Sequence, residues 1–454
     1  MMGTRLMLAS GVTALSTAPA LAEVDSRDQQ IAELRSMVET LQTEVDVLRS
    51  ENYNDWLTQQ RSEQIRGLIQ DVLADADTRA NLQGDGATSG YDGGFVVQSA
   101  DGKFKLKVNG QMQARFMYNE AAGLNHDYGF ELRRTKLSFA GHIGDPSFTY
   151  KMTVVNQRNA QGDNDPGEGM YMEDAWISRS CDDGCYWVLG QTKAPFLREQ
   201  LASSSAQLAV ERSMLNNQFT YGWAQGFEVG NKGDDFWWRA WVGDGPNSAN
   251  VQSQNDALGD SIAVLARADW RLDGTWSDWK SLTARGKGDS TFIGAAFQWY
   301  NGDSQEYGGF RGTNSYGFTV DGSMTRGDWT AYAAFMWASG ASGGDRNDAW
   351  GVLAQIGRNI SDDTQLFARY ELGTIDGYNP DDMSAITVGV NHWMTTGRTI
   401  KWTTDFGYGF ETITNGGADG NPAADYTSSG NGWRADGAGE DGQWLLRTQM
   451  QLLF

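Results

Sequence analysis

Residues 104–118 read FKLKVNGQMQARFMY. Phe104, Leu106, Val108, Gly110, Met112, Ala114, Phe116 and Tyr118 fall on one face of an extended chain, and Lys105, Lys107, Asn109, Gln111, Gln113, Arg115 and Met117 on the other, because successive strand side chains point to opposite sides. So long an apolar face opposite a basic, polar one suits a strand with lipid on one side and a water-filled lumen on the other. A membrane-crossing strand needs about 9–11 residues, and this segment is long enough. Its even-numbered residues are expected to face lipid.

The same period recurs along the chain: Phe148, Tyr150, Met152 and Val154; Ile293, Ala295, Phe297 and Trp299; Leu366, Ala368, Tyr370 and Leu372; Ile386, Val388 and Val390; Ile400, Trp402, Thr404, Phe406 and Tyr408. Short connections such as Gly144-Asp145-Pro146 alternate with longer polar ones such as 158–168, 301–314 and 414–441, the pattern of periplasmic turns and external loops. Segments 170–180 and 221–243 are ambiguous in phase, and the count comes to about sixteen strands. The last segment sets Trp444, Leu446, Thr448, Met450, Leu452 and Phe454 against Leu445, Arg447, Gln449, Gln451 and Leu453. A terminal Phe454 with apolar residues two and four places before it resembles the signal read by the bacterial barrel-assembly machinery. The expected fold is all-β and transmembrane: an antiparallel closed β-barrel over residues 95–454.

Composition agrees with this reading. A mean hydropathy of −0.51 would suit a soluble protein, but barrel strands meet lipid only at every second residue and line a polar lumen with the rest. Fifty-six glycines, eighteen tryptophans and seven prolines fit many short strands joined by turns better than a helical enzyme. The formal net charge of −22 makes nucleic acid an unsuitable partner. Cys181 and Cys185 are close enough for a local disulfide in an exported protein. Zinc would want four ligands, no histidine lies nearby in sequence, and neither a metal nor a cofactor is expected.

The N-terminal quarter follows another period. Arg5, the apolar Leu6–Leu15 stretch and Ala20-Leu21-Ala22 make residues 1–22 a signal peptide. Ile31, Leu34, Val38, Leu41, Val45 and Leu48 recur at spacings of three and four, a heptad seam that predicts a self-associating helix. A second helical stretch, 56–82, carries Ile65, Leu68, Ile69, Val72 and Leu73 on one face. Residues 23–82 thus read as a periplasmic coiled-coil arm preceding the barrel, and the glycine-rich 83–94 as a flexible linker.

From about residue 93 the chain resembles the phosphate-selective porin O and P family. The resemblance rests on DGKFKLKVNGQMQARF (101–116), FELRRTKLSFAGHIGD (130–145), VLGQTKAPFLREQLASSSAQLAVERS (188–213) and GRNISDDTQLFARYELGT (357–374). The third is the most specific, since barrel geometry does not demand its run of serines followed by Glu-Arg-Ser. The resemblance implies a homotrimer of sixteen-stranded barrels in the outer membrane, passing small anions such as phosphate. The opening helix resembles periplasmic trimeric stalks that tether outer-membrane proteins to the cell wall.

A pore works through the charges that face its water. Strand parity puts Lys105, Lys107, Arg115, Arg134, Lys136, Lys151, Lys193, Arg267, Arg271, Arg369, Lys401 and Arg447 on the lumen side, together with Asp269, Asp321, Glu371 and Asp405. The lumen therefore reads basic within an acidic protein. Residues 194–220, following the fifth strand, make the third external connection, which in porins commonly folds inward; Arg198, Ser203, Ser204, Ser205 and Arg212 are its candidate pore contacts. Passive, anion-favouring diffusion is the leading function, beside two alternatives: a general or cation-favouring porin, and an envelope tether working through the arm. Hydrolytic chemistry is disfavoured, because His126, His142 and His392 accompany no nucleophile motif.

Overall fold

The computed structural model describes residues 35–43 and, from 86 to 454, all but 122, 157–170, 247, 251–260, 287, 303–313, 343–344, 377–380, 396–397, 412, 414–425, 427–429 and 435–439. The chain divides into two compact units, 1–84 and 85–454. In the first, residues 35–43 are helical and leave Val38 and Leu41 exposed. The other seam residues, Ile31, Leu34, Val45 and Leu48, lie outside the described residues, as do the leader and the stretch 56–82.

The second unit opens with a small hairpin, β1 (Thr88–Tyr91) and β2 (Phe95–Gln98), so part of the glycine-rich 83–94 stretch is strand. Sixteen long strands follow: β3 (Phe104–Glu120), β4 (Asp127–Ile143), β5 (Asp145–Asn156), β6 (Tyr171–Ser180), β7 (Cys185–Lys193), β8 (Trp223–Lys232), β9 (Phe236–Gly243), β10 (Ile262–Asp273), β11 (Ser290–Asn301), β12 (Asn314–Arg326), β13 (Trp329–Ser342), β14 (Asp345–Asn359), β15 (Thr364–Ile375), β16 (Asp382–Trp393), β17 (Ile400–Gly409) and β18 (Trp444–Leu453). Each pairs antiparallel with the next, and β18 pairs with β3 from Trp444↔Glu120 to Leu453↔Gln111. The sheet is therefore a closed barrel of sixteen strands. Among the described residues no helix is long and apolar enough to cross a membrane; the strands do the crossing.

Alternation sets the two faces. Phe104 and Met112 of β3 are exposed on the outside while Gln113, Arg115 and Asn119 are buried within. The expected even-out phase of the first long strand is the one observed. On β4 the phase changes part-way. Phe130 and Leu132 point outward, then Leu137 does, because the pairing with β3 shifts between Gln113↔Arg134 and Ala114↔Leu132 and leaves Arg133 as an extra residue. Such a bulge puts two neighbouring side chains on one face, so Arg133 and Arg134 both enter the lumen. A second bulge, between Thr153↔Asp174 and Val154↔Met172, does the same for Glu173 and Asp174 on β6. The second bulge explains why the phase of 170–180 is ambiguous in sequence.

One end of the barrel carries short turns, such as Gly144 with φ +76° and the 181–184 turn stapled by a Cys181–Cys185 disulfide. With both sulfurs joined, no thiolate remains there to hold a metal. The short-turn expectation fails at residues 274–289, which join β10 to β11 at this same end. This connection folds into the barrel: Trp279, Leu282 and Ala284 are buried, and Leu282 N–H donates to Ala206 O at 3.0 Å. Its apolar residues have no lipid or sheet to cover them except inside the lumen.

Close backbone approach also limits side-chain choice. A Cβ on Gly141 of β4 would lie 1.7 Å from Lys105 O on β3, and Tyr150 of β5, its register partner, bonds that same carbonyl at 3.3 Å. Gly141→Ala should therefore cost roughly 1–3 kcal/mol, as overpacking does. The check is the temperature at which the folded barrel loses its heat-resistant gel migration; an unchanged transition would show that the strands can part without cost.

Candidate functional site

The site is built around the connection between β7 and β8. It carries two short helices, α1 (Arg198–Leu201) and α2 (Met214–Phe219), and buries Phe196 and Leu208 outside them and Met214, Leu215 and Phe219 of α2. Ser213 starts α2 by accepting from Asn216 N–H at 2.9 Å, which satisfies one of the helix's unpaired amides. Barrel side chains then grip the connection's backbone. Arg267 donates to Phe196 O at 2.8 Å, Lys401 to Gln207 O at 3.1 Å, Asn391 to Leu208 O at 2.8 Å and Arg369 to Glu211 O at 2.9 Å. Asp405 accepts from Val210 N–H at 2.9 Å and Glu371 from Met214 N–H at 2.7 Å. A chain crossing the lumen has no ladder partner, and these polar and charged side chains replace one.

Glu211 is the junction with the opposite wall. Arg134 binds it through two nitrogens, each at 2.8 Å, with Arg115 at 2.8 Å and Arg133 at 2.9 Å. The bulge on β4 makes this possible by presenting Arg133 and Arg134 together. Burial by itself would raise the Glu211 carboxyl, but the guanidinium groups of Arg133, Arg134 and Arg115 outweigh it and hold the group well below the usual carboxylate range. Arg115 and Arg133 also donate to Gly430 O, and Arg447 to Asn431 O, so the connection after β17 reaches into the lumen as well.

An open space lies on the β3–β9 side. A cavity of about 720 Å³ runs there past Lys136, Lys151, Glu173, Asp174 and Lys193, with Ser203 and Ser204 on the loop side and Lys280 and Arg398 at the turn end. Lys136 is paired with Glu173 at 2.5 Å and Lys151 with Asp174 at 2.8 Å. Lys193 differs. Its ammonium donates to the carbonyls of Gln200 at 2.6 Å and Ala202 at 3.3 Å, and lies 5.0 Å from the Trp223 ring centre.

Residues 106–374 match the family described as phosphate-selective porin O and P. The chain belongs to that family. It is a bacterial outer-membrane β-barrel porin, a channel and not an enzyme. Among solved structures it is similar to OmpF of Salmonella typhi in complex with daunomycin (10% identity, 81% of this chain and 100% of that one, TM-score 0.53). It is also similar to the trimer form of OmpT of Vibrio cholerae (13%, 77% and 99%, 0.51) and to an anion-selective porin from Comamonas acidovorans (13%, 77% and 99%, 0.50). At these identities the likeness is one of fold. No curated protein matches in sequence.

In this porin the sequence-derived candidates fall into separate groups. Lys136, Lys151, Lys193, Ser203 and Ser204 line the cavity. Arg115 and Arg134 are bound to Glu211, and Arg447 to Asp405. Arg267, Arg369 and Lys401 hold the inserted connection. Arg198 has its side chain fully covered, beside Trp279, Phe292 and Tyr332. Arg212 donates to the carbonyls of Glu199, Gln200 and Ala202 within its own loop. Lys107 pairs with Asp92 near the hairpin, Lys105 is half-buried beside it, and Arg271 pairs with Asp235 at a turn. Arg133 was not legible because simple parity points it at lipid, and Glu211 because nothing in the loop's sequence says which wall it meets. His392 Nδ1 lies 3.0 Å from Thr364 Oγ1, its register partner across β15 and β16, with no carboxylate bonded to the ring among the described residues.

Replacing Glu211 by Gln removes the one negative charge shared by three wall arginines, of which Arg115 also pairs with Glu131 at 2.5 Å. A unit charge at 4 Å is worth about 1 kcal/mol even at the dielectric of bulk water, so the anion-to-cation permeability ratio should rise roughly fivefold. Reversal potential across a planar bilayer measures it. Because the carboxyl is depressed, its anchoring is present above the ordinary carboxylate range and is lost only as pH falls through the lower folded value. Glu211 should thus add no inflection to the wild-type reversal potential at ordinary carboxylate pH, and an inflection there that Glu211→Gln abolishes would refute this anchor.

Proposed function

We propose that this porin passes small anions, phosphate among them, by passive diffusion along the β3–β9 wall. The observation that carries the reading is Lys193, a lumen cation at the inserted connection that donates to carbonyl oxygens and to no carboxylate among the described residues. A positive charge between low-dielectric walls acts on passing ions more strongly than carboxylates in remote loops. Lys280 and Arg398 line the same cavity at the turn end, giving an anion successive weak sites from which it can also depart. Family membership supports the choice of phosphate. A salt gradient across a bilayer containing the full chain should give a reversal potential of anion sign, and changing Lys151, Lys193 and Lys280 to Gln should move it towards cations, less so at high salt. A wild-type pore that prefers cations would overturn the proposal.

The working form is a homotrimer in this reading, supported by the trimer form of the Vibrio OmpT barrel. The N-terminal arm lies in the periplasm and associates between subunits through its heptad seam, of which Val38 and Leu41 stand exposed on the 35–43 helix. Contact of that arm with the cell wall is compatible with the barrel's role as a channel. In the full chain, Leu34→Asp with Leu41→Asp should remove arm-to-arm cross-links between subunits while conductance stays unchanged. Cross-linking that persists would show that the seam has another partner.

A further inference from the structure

We infer that the lumen cavity holds a subsite for organic anions that carry a flat ring, such as aryl phosphates. This rests on the anion-favouring reading and narrows it to a solute class. Inorganic anions need cations and hydrogen-bond donors, but no aromatic wall. Here the wall includes indoles among the cations. Trp176 stands on the lumen side of β6, in register with Lys151 on β5 and Gly190 on β7.

The flank of Trp176 is bare for a structural reason. Gly190 has φ +125°, and a Cβ there would come within 2.3 Å of Ala175 O, so this position admits no side chain that could cover the ring. Trp176 is only half-buried and has no ring partner among the described residues, unlike Trp237, whose ring centre lies 5.3 Å from that of Trp279. An indole facing water on a pore wall is an unfavourable exposure of apolar surface unless a solute covers it. On the neighbouring wall the Trp223 ring is flanked by Lys136 at 5.4 Å and Lys193 at 5.0 Å. Ring surface and ammonium groups thus share one space. Its volume of about 720 Å³ admits a small organic solute. The bound solute would lay its ring on Trp176 and direct its charge to Lys193, where a charge-assisted hydrogen bond can form.

The test uses the full-length porin in planar bilayers, with block of the ion current by phenyl phosphate, methyl phosphate and phenol. Phenyl phosphate should half-block at a concentration roughly tenfold below methyl phosphate, the fold-change that aromatic stacking supplies, and uncharged phenol should not block. Trp176→Phe should keep most of this preference and Trp176→Leu should abolish it. Equal block by the two phosphates in the wild type would overturn the inference, and so would a preference that survives Trp176→Leu. The wild-type comparison and the Phe variant decide the matter even if the Leu variant fails to assemble. A reversal potential of cation sign in plain salt would instead overturn the anion reading beneath it, so the two failures are told apart.

Discussion

Lipid supplies no partner for a peptide N–H or C=O, and the barrel depends on meeting that constraint. An open sheet would leave two unpaired edges in hydrocarbon. The pairing of β18 with β3 removes both, and it does so by bringing the last strand against the first long one. The chain's end is part of the seam: Phe454 exchanges backbone bonds with Gly110 at 2.9 and 3.1 Å, and its ring occupies the space a Gly110 side chain would need. Closure also decides where polar residues can go. With lipid all round the outside, every second residue of each strand turns inward, and charge collects in the lumen.

Charge gathered in a narrow lumen must be paired or solvated. The molecule manages this with two β-bulges and one inserted loop. Each bulge presents two adjacent charges to the interior, Arg133 with Arg134 and Glu173 with Asp174. The first pair meets Glu211 from the loop, and the second meets Lys136 and Lys151 from neighbouring strands. The loop in turn divides the lumen. Towards β10–β17 Arg267, Arg369 and Lys401 bind its carbonyls, whereas towards β3–β9 Arg115 and Arg134 bind its Glu211 and Lys136, Lys151 and Lys193 line the open cavity. Local placement, and not the net charge of −22, sets the field a solute meets.

The turn end adds a second insertion. Residues 274–289 pack Trp279 and Leu282 under the β7–β8 connection, where the Trp279 indole N–H donates to Asp269 at 3.1 Å and its carbonyl accepts from Arg198 at 3.2 Å. Arg285 bonds Thr395 O, and Arg398 bonds Arg285 O, which ties this segment to a turn across the mouth. The floor of the pore is therefore built from a connection that in most barrels would be a tight turn. It leaves Lys280 and Arg398 at the exit of the cavity.

The sequence by itself determined the barrel, a count of about sixteen strands and the phase of its opening strand. Those features follow from a two-residue period and from the lengths between strands, which are local properties, whereas the inward fold of the third connection is an expectation taken from porins in general. The sequence also marked Lys136, Lys151 and Lys193 as lumen cations, from the same two-residue period. Only the tertiary structure decided which lumen cations face solute. Arg267, Arg369 and Lys401 share their parity, yet they bind a loop whose path depends on contacts far apart in the chain. Arg133 enters the lumen through a bulge that exists only in the pairing of two strands, and Trp279 through a connection whose apolar residues find cover only inside a closed barrel. Away from bulges, parity tells which face a residue takes; what it meets there is set by the other side of the lumen.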